Sequence, residues 1–289
     1  MVEKGLENRK QEKREHMNII EQFSMSKTGI EIENEDSIVI TDSFVSIIDG
    51  MTSKDNSLYQ NETSARIATE LLKKEIHSFP RDLTYQEAVY RLTKCICSYY
   101  KENNIFNVVL KEPHKRMAAS IIILNKEREE IWIVGDCHCL IDELHITNEK
   151  LVDYIISEIR SVIIEKYLLE YSTDELLEKD LSREDIRPFL ISQYLYQNNR
   201  AYSPLSYAVI DGFPIENRMV RVVSCKDANC IVLGSDGYPQ LKRNLRETEL
   251  ELQKLLQKDP LMIKGYKSTK GLVNGNKSFD DRTYIKIKL

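Results

Sequence analysis

No uninterrupted apolar run in this chain approaches the roughly 20 residues that a helix needs to span a bilayer. The N-terminal residues are too charged for a secretory signal. Positive charge is not in excess either: 41 Lys and Arg stand against 46 Asp and Glu, a net charge of −5, so nothing calls for a nucleic-acid partner. No internal repeat and no linker divides the 289 residues. The five histidines have no metal-ligand spacing. Six cysteines (95, 97, 137, 139, 225 and 230) have no signal to take them to an oxidising compartment, and they read as reduced thiols of a cytoplasmic protein.

What is present suits a large folded domain. The 42% hydrophobic content can build a substantial core, and the 30% charged content covers an ordinary surface. Residues 1–16 (MVEKGLENRKQEKREH) have no apolar face to bury and read as a disordered N-terminal segment. Residues 17–289 read as one domain, with Met17 opening a strand-like stretch and offering an alternative start.

Periodicity sketches the elements. A hairpin over Ile38–Ile40 and Phe44–Ile48 brings Glu35 and Asp36 near Asp49. Helices are expected over 57–78 and 84–102, the second with Thr84 and Glu87 as a capping box. Strands follow at Ala118–Leu124 and Ile131–Val134. A long helical block covers about 148–200, with Leu151, Ile155, Ile159, Val162, Ile163 and Tyr167 as a core-facing or partner-facing stripe. Strands return at Leu205–Ile210, Met219–Cys225 and Asn229–Gly234. A helix over Arg243–Lys258, loop-like residues 262–278 and a closing strand at Thr283–Leu289 complete the chain.

The chemistry gathers at strand ends. Phe44, Val45, Ile47 and Ile48 form a buried strand that stops on Asp49 and Gly50. An unpaired carboxylate at the mouth of a core is costly unless a cation compensates it. Three further acidic elements lie at strand ends: Glu35-Asp36, Asp236-Gly237 and Asp280-Asp281. An oxygen-only cluster of this kind suits hard cations such as Mg²⁺ or Mn²⁺. Other motifs are weaker. In Cys137-His138-Cys139 the strand alternation leaves only a Cys pair on one face, so packing is the expected role. Cys95 and Cys97 point apart on a helix. Gly271–Ser278 has neither the spacing nor the strand-to-helix context of a P-loop.

Taken in order, Asn34-Glu35-Asp36-Ser37, Ile47-Ile48-Asp49-Gly50, Val134-Gly135-Asp136, Leu233-Gly234-Ser235-Asp236-Gly237 and Asp280-Asp281-Arg282-Thr283 resemble the motifs of the PP2C-like (PPM) metal-dependent protein phosphatases, as in a divergent bacterial-type member. The resemblance covers residues 17–289. It implies an α+β fold, a four-layer α-β-β-α sandwich with two Mn²⁺ or Mg²⁺ ions at one end, here with the extra helical block. By that resemblance Asp49 bridges both ions, the Gly50 carbonyl binds one, and Asp236 and Asp280 complete the other site. Glu35 and Asp36 act through metal-bound water, which places Asp36 with Asp49, Asp236 and Asp280 in the catalytic set. Asp136 resembles a structural Asp of the family. The implied reaction is in-line attack of a metal-activated water on a phosphomonoester, with a phosphorylated protein or small phosphoester as substrate.

Three departures qualify the resemblance. Met51 stands where many members have a proton-donating His, Glu31 where many have a phosphate-holding Arg, and Thr52-Ser53-Lys54-Asp55 replaces a second glycine pair. Residues 137–204 are expected to be mostly helical instead of following the family's strand-and-loop pattern. Lys27, Lys54 and Arg66 are the candidates for the missing positive charge. The leading expectation is a serine/threonine protein phosphatase. The alternatives are a pseudo-phosphatase that works as a binding or regulatory module, and a small-molecule phosphatase.

Overall fold

The computed structural model describes residues 18–55, 57–59, 62–199 and 203–289. The disordered segment expected at 1–16, and Met17, lie outside the described residues. The chain builds two five-stranded antiparallel sheets. The first is ordered β1 (Asn18–Met25), β10 (Arg282–Lys288), β9 (Cys230–Gly234), β6 (His138–Ile141) and β7 (Leu144–Ile146). The second is β2 (Asp36–Ile40), β3 (Phe44–Met51), β4 (Ala118–Asn125), β5 (Glu130–Val134) and β8 (Arg221–Ser224).

Side-chain alternation explains why the sheets stack. On β3, Val45 and Ile47 point one way and Phe44 and Ile48 the other. The first pair joins Ile122, Leu124, Ile131, Ile133, Ile231, Leu233, Ile285 and Ile287 in a cluster between the sheets. The second pair packs under α1 (Ser64–His77) and α2 (Tyr85–Glu102) through Leu72, Ile76, Leu92 and Ile96. On the far side, Leu252 and Leu256 of α8 (Leu245–Lys258) cover Leu140, Val232 and Tyr284 of the first sheet. The layers therefore run α-β-β-α, as expected. Each fully buried Ile or Leu in these layers contributes about 1.5–3 kcal/mol.

The helix ends follow local rules. The Thr84 hydroxyl accepts from the Glu87 N–H at 3.3 Å while the Glu87 carboxylate takes the Thr84 N–H at 2.9 Å, the capping box read from the sequence. The first helix starts at Ser64, after its Thr63 cap, and not near 57.

The middle of the chain departs from expectation. Residues 138–146 form a strand hairpin, so the stretch 137–204 is not simply helical. Leu205–Ile210 forms only isolated bridges, Ala119 with Ile210 and Gln197 with Tyr207, and no strand. After the short α3 (Phe106–Lys111), the helical block consists of α4 (Leu151–Tyr167), α5 (Thr173–Glu178), α6 (Leu181–Asp185) and α7 (Arg187–Ser192). The buried face of α4 carries Val152, Ile156, Ser157, Arg160, Ser161 and Ile164, whereas Leu151, Ile155 and Val162 of the expected stripe are exposed. Arg160 is the reason: its guanidinium, fully buried, pairs with Asp180 at 2.8 Å and donates to the carbonyls of Leu261 and Ser268. A polar anchor sets which face turns inward. No helix among the described residues is long and apolar enough to cross a membrane.

Candidate metal centre

The inter-sheet face of β3 that carries Val45 and Ile47 also carries Asp49, by the same alternation. Asp49 pairs across the ladder with Asp36 on β2 and with Ser120 on β4, so the three side chains project together at one end of the sandwich. Asp136 follows β5, Asp236 follows β9 and Asp280 precedes β10, all at that same end. Carboxylate oxygens of Asp49, Asp136 and Asp236 lie within 4.8 Å of one another. They sit in a cleft of about 710 Å³ that Asp280, Lys150 and Lys270 also line.

Two glycines make the convergence possible. Gly135 has φ +95°, and a Cβ there would fall 2.2 Å from Ser120 Oγ, the hydroxyl that donates to Asp136. At Gly237 a Cβ would meet the Asp281 carbonyl oxygen at 1.9 Å, so this close approach of the two acidic segments needs a residue without one.

The electrostatics are those of a crowded acidic site. Burial pushes the Asp49 carboxyl well above the usual range, and Asp236, Asp36, Asp136 and Asp280 push it further. Asp236 is raised for the same reasons, burial first and then Asp136 and Asp280. Asp136 differs. Burial raises it, but the Lys150 ammonium at 2.7 Å and the Ser120 hydroxyl outweigh that and hold it low. Lys270 forms an ion pair with Asp280.

Asp36 sits behind this front. Its Oδ2 accepts from the Ser235 hydroxyl at 2.7 Å and the Thr283 hydroxyl at 2.8 Å, while its buried Oδ1 has no partner. Burial lifts its carboxyl to about 7 despite those two hydroxyls. Glu35 lines the cleft, but its Oε1 accepts from the Thr52 hydroxyl at 2.6 Å. Asp281 serves structure: it accepts the Lys27 and Glu35 N–H groups, each at 2.8 Å, and so ties the first hairpin to β10.

The expected site residues are therefore brought to one end of the molecule: Asp49 and Asp236 in the carboxylate cluster, Gly50 and Asp280 along the same cleft, Asp36 behind them. Asp136, which the motif reading set aside as structural, is in the cluster itself. Lys150 and Lys270 carried no signal in the sequence, since one precedes a helix and the other lies in a loop. An all-oxygen donor set, a buried unpartnered carboxylate oxygen and mutually raised carboxyls fit a divalent cation. Among the supposed phosphate-holding groups, Lys27 and Lys54 line the cleft, whereas Arg66 donates to the Ile32 carbonyl and Glu31 is exposed outside it. Cys137 and Cys139 are buried between the sheets, as packing residues.

No family model matches this sequence, and no curated protein matches it. Solved structures of similar chain course include the serine/threonine phosphatase PstP/Ppp of Mycobacterium tuberculosis, at 14% identity and TM-score 0.45, over 94% of this chain and 99% of that one. The serine/threonine phosphatase Stp1 of Staphylococcus aureus is similar at 11% identity and TM-score 0.48, over 95% of each chain. RsbX in complex with magnesium is similar at 12% identity and TM-score 0.42, over 95% of this chain and all of that one. The chemistry of the site rests on the chain's own carboxylates and lysines.

Proposed function

We propose that this chain is a divalent-metal-dependent phosphomonoesterase of PP2C-like type, acting on phosphoserine or phosphothreonine in proteins. The observation that carries the reading is the convergence of Asp49, Asp136 and Asp236 within 4.8 Å at the open end of two stacked sheets. Asp49, Asp236, Asp280 and the Gly50 carbonyl would hold Mn²⁺ or Mg²⁺, with Asp136 beside them. Bound there, the ions supply a Lewis acid and a water of lowered pKa.

The chain's own groups do the rest. Burial and the neighbouring carboxylates disfavour the charged forms of Asp49 and Asp236, and a bound cation would favour them, so these two side chains would hold it as carboxylates. Asp36 orients Ser235 and Thr283 behind Asp49. Lys150 fixes the charge of Asp136. Met51 has no proton to give a leaving alkoxide, and Lys150 is 3.9 Å from its sulfur.

A second reading, a binding module on the same scaffold, is favoured by the ion pairs of Lys150 with Asp136 and Lys270 with Asp280. They place two ammonium groups where cations are wanted. Calorimetric titration of Mn²⁺ into the wild type and Asp49→Asn, with aryl-phosphate hydrolysis measured on the same samples, separates the two. The enzyme reading expects tight binding and turnover, both lost in the variant. Tight binding with no turnover supports the module.

A further inference from the structure

The cleft holds more positive charge than its ion pairs use. Lys150 is engaged by Asp136 and, at 3.8 Å, by Asp153; Lys270 is engaged by Asp280; Lys27 lies 3.4 Å from Asp281. Lys54 and Arg183 line the same cleft, and neither has a carboxylate within ion-pair distance among the described residues. Acidic groups do face them. Asp153 faces both but is engaged by Lys150; Asp180 and Asp280 face Arg183 and are engaged by Arg160 and Lys270.

The two cations come from different parts of the chain and are held there. The Lys54 N–H donates to the His114 carbonyl at 3.1 Å, and the Lys54 carbonyl accepts from Arg187 of α7 at 3.4 Å. Arg183 of α6, which lines the cleft, donates through Nη1 to the Thr269 carbonyl, and its other guanidinium nitrogens have no hydrogen-bond partner among the described residues. Burial, then the neighbouring Arg183 and Lys270, depress the Lys54 ammonium to about 8. Desolvated cations without counter-charge are costly unless an anion joins them. A guanidinium fork beside an ammonium matches the oxygens of a phosphoryl group.

We propose that Lys54 and Arg183 form an oxyanion subsite that takes the phosphoryl oxygens of the substrate, and the orthophosphate product, in the cleft that holds Asp49 and Asp236. The subsite rests on the phosphatase reading for its ligand. It gives the helical block a role: α6 delivers the cation that position 31, an exposed glutamate, does not.

The test is calorimetric titration of orthophosphate into Mg²⁺-saturated protein, for the wild type, Lys54→Gln, Arg183→Gln and Arg183→Lys. Each Gln variant is expected to weaken orthophosphate by about tenfold or more, the usual worth of a charge-assisted contact. Mg²⁺ affinity should not fall, since each Gln change removes a positive charge near the acidic cluster, and its retention also reports an intact fold. Arg183→Lys keeps the charge without the fork and should fall between, which separates a lost anion contact from a lost Thr269 tether. In hydrolysis, KM for an aryl phosphate should rise more than kcat falls. Unchanged orthophosphate affinity in both Gln variants overturns the subsite. Orthophosphate binding that needs both residues, without turnover of any ester, overturns the phosphatase reading and keeps the subsite. Turnover with KM and orthophosphate affinity indifferent to both residues does the reverse.

Discussion

Lys150 Nζ lies 2.7 Å from Asp136 Oδ2, with the lysine side chain 5% exposed and the aspartate 15%. The lysine precedes α4 and the aspartate follows β5, so this one pair docks the helical block onto the acidic end of the sandwich. Removing one partner of a buried pair leaves an uncompensated charge and costs about 3–5 kcal/mol. Lys150→Met should therefore lower the melting temperature markedly in chelator. Because Asp136 is then free for a cation, added Mn²⁺ should raise the variant's melting temperature by more than the wild type's. Equal increments would show that Asp136 takes no part in cation binding.

His138 gives a pH signature that is read in chelator. It is 4% exposed, with Nδ1 2.7 Å from His145 Nε2 and Nε2 3.1 Å from the Ser235 carbonyl. Burial, then His145, lowers it from 6.5 to about 4. The unfolded chain takes up its proton near 6.5 and the folded chain does not. This group's contribution is thus present above that pH and is lost as pH falls from 6.5 to about 4, about 3 kcal/mol at full effect. Urea unfolding in chelator at pH 7.5 and 4.5 should show a smaller pH difference for His138→Asn than for the wild type. The same difference in both proteins would assign the acid lability to other groups.

Gly237→Ala places a methyl group against the Asp281 carbonyl, which a Cβ would approach to 1.9 Å. Backbone must move, and overpacking of this kind costs about 1–3 kcal/mol. The segments carrying Asp236 and Asp280 are forced apart, so Mn²⁺ affinity should drop about tenfold, measured by calorimetry. Wild-type affinity in the variant would mean that the two carboxylates do not act on one cation set.

Met51 predicts a dependence on leaving group. General acid catalysis is typically worth about 10²–10⁴-fold, and a thioether supplies none. Lys150 beside it keeps its proton tightly, because Asp136 and Asp153 outweigh its burial. Across phosphate esters of graded leaving-group pKa, log rate should fall steeply, with aryl esters far ahead of alkyl esters. A shallow slope would identify another proton donor in the cleft.

How much of this was legible in the sequence follows from where the information sits. Continuous apolar runs marked β3, β4, β5 and β9 because both of their faces are buried, and Thr84 with Glu87 gave one helix start to the residue. The short hairpin was enough to bring Glu35 and Asp36 near Asp49, and its register sets Asp36 directly opposite Asp49. The inward face of α4 was not legible, since Arg160 turns it by pairing with Asp180 and with carbonyls about a hundred residues away in sequence. Lys270 and Arg183 were invisible for the same reason. A lysine in a loop and an arginine in a five-residue helix acquire meaning only when the chain folds around them. Asp136 was legible as a motif residue, but its company was not: that depends on Gly135 passing close to Ser120.

The most direct test of the account is orthophosphate release from a phosphothreonine peptide, followed as a function of Mn²⁺ concentration in the wild type and in Asp49→Asn. The account predicts release that saturates with Mn²⁺, stops in chelator and is absent from the variant at every Mn²⁺ concentration. Release that is indifferent to chelator, or that survives Asp49→Asn unchanged, would contradict it.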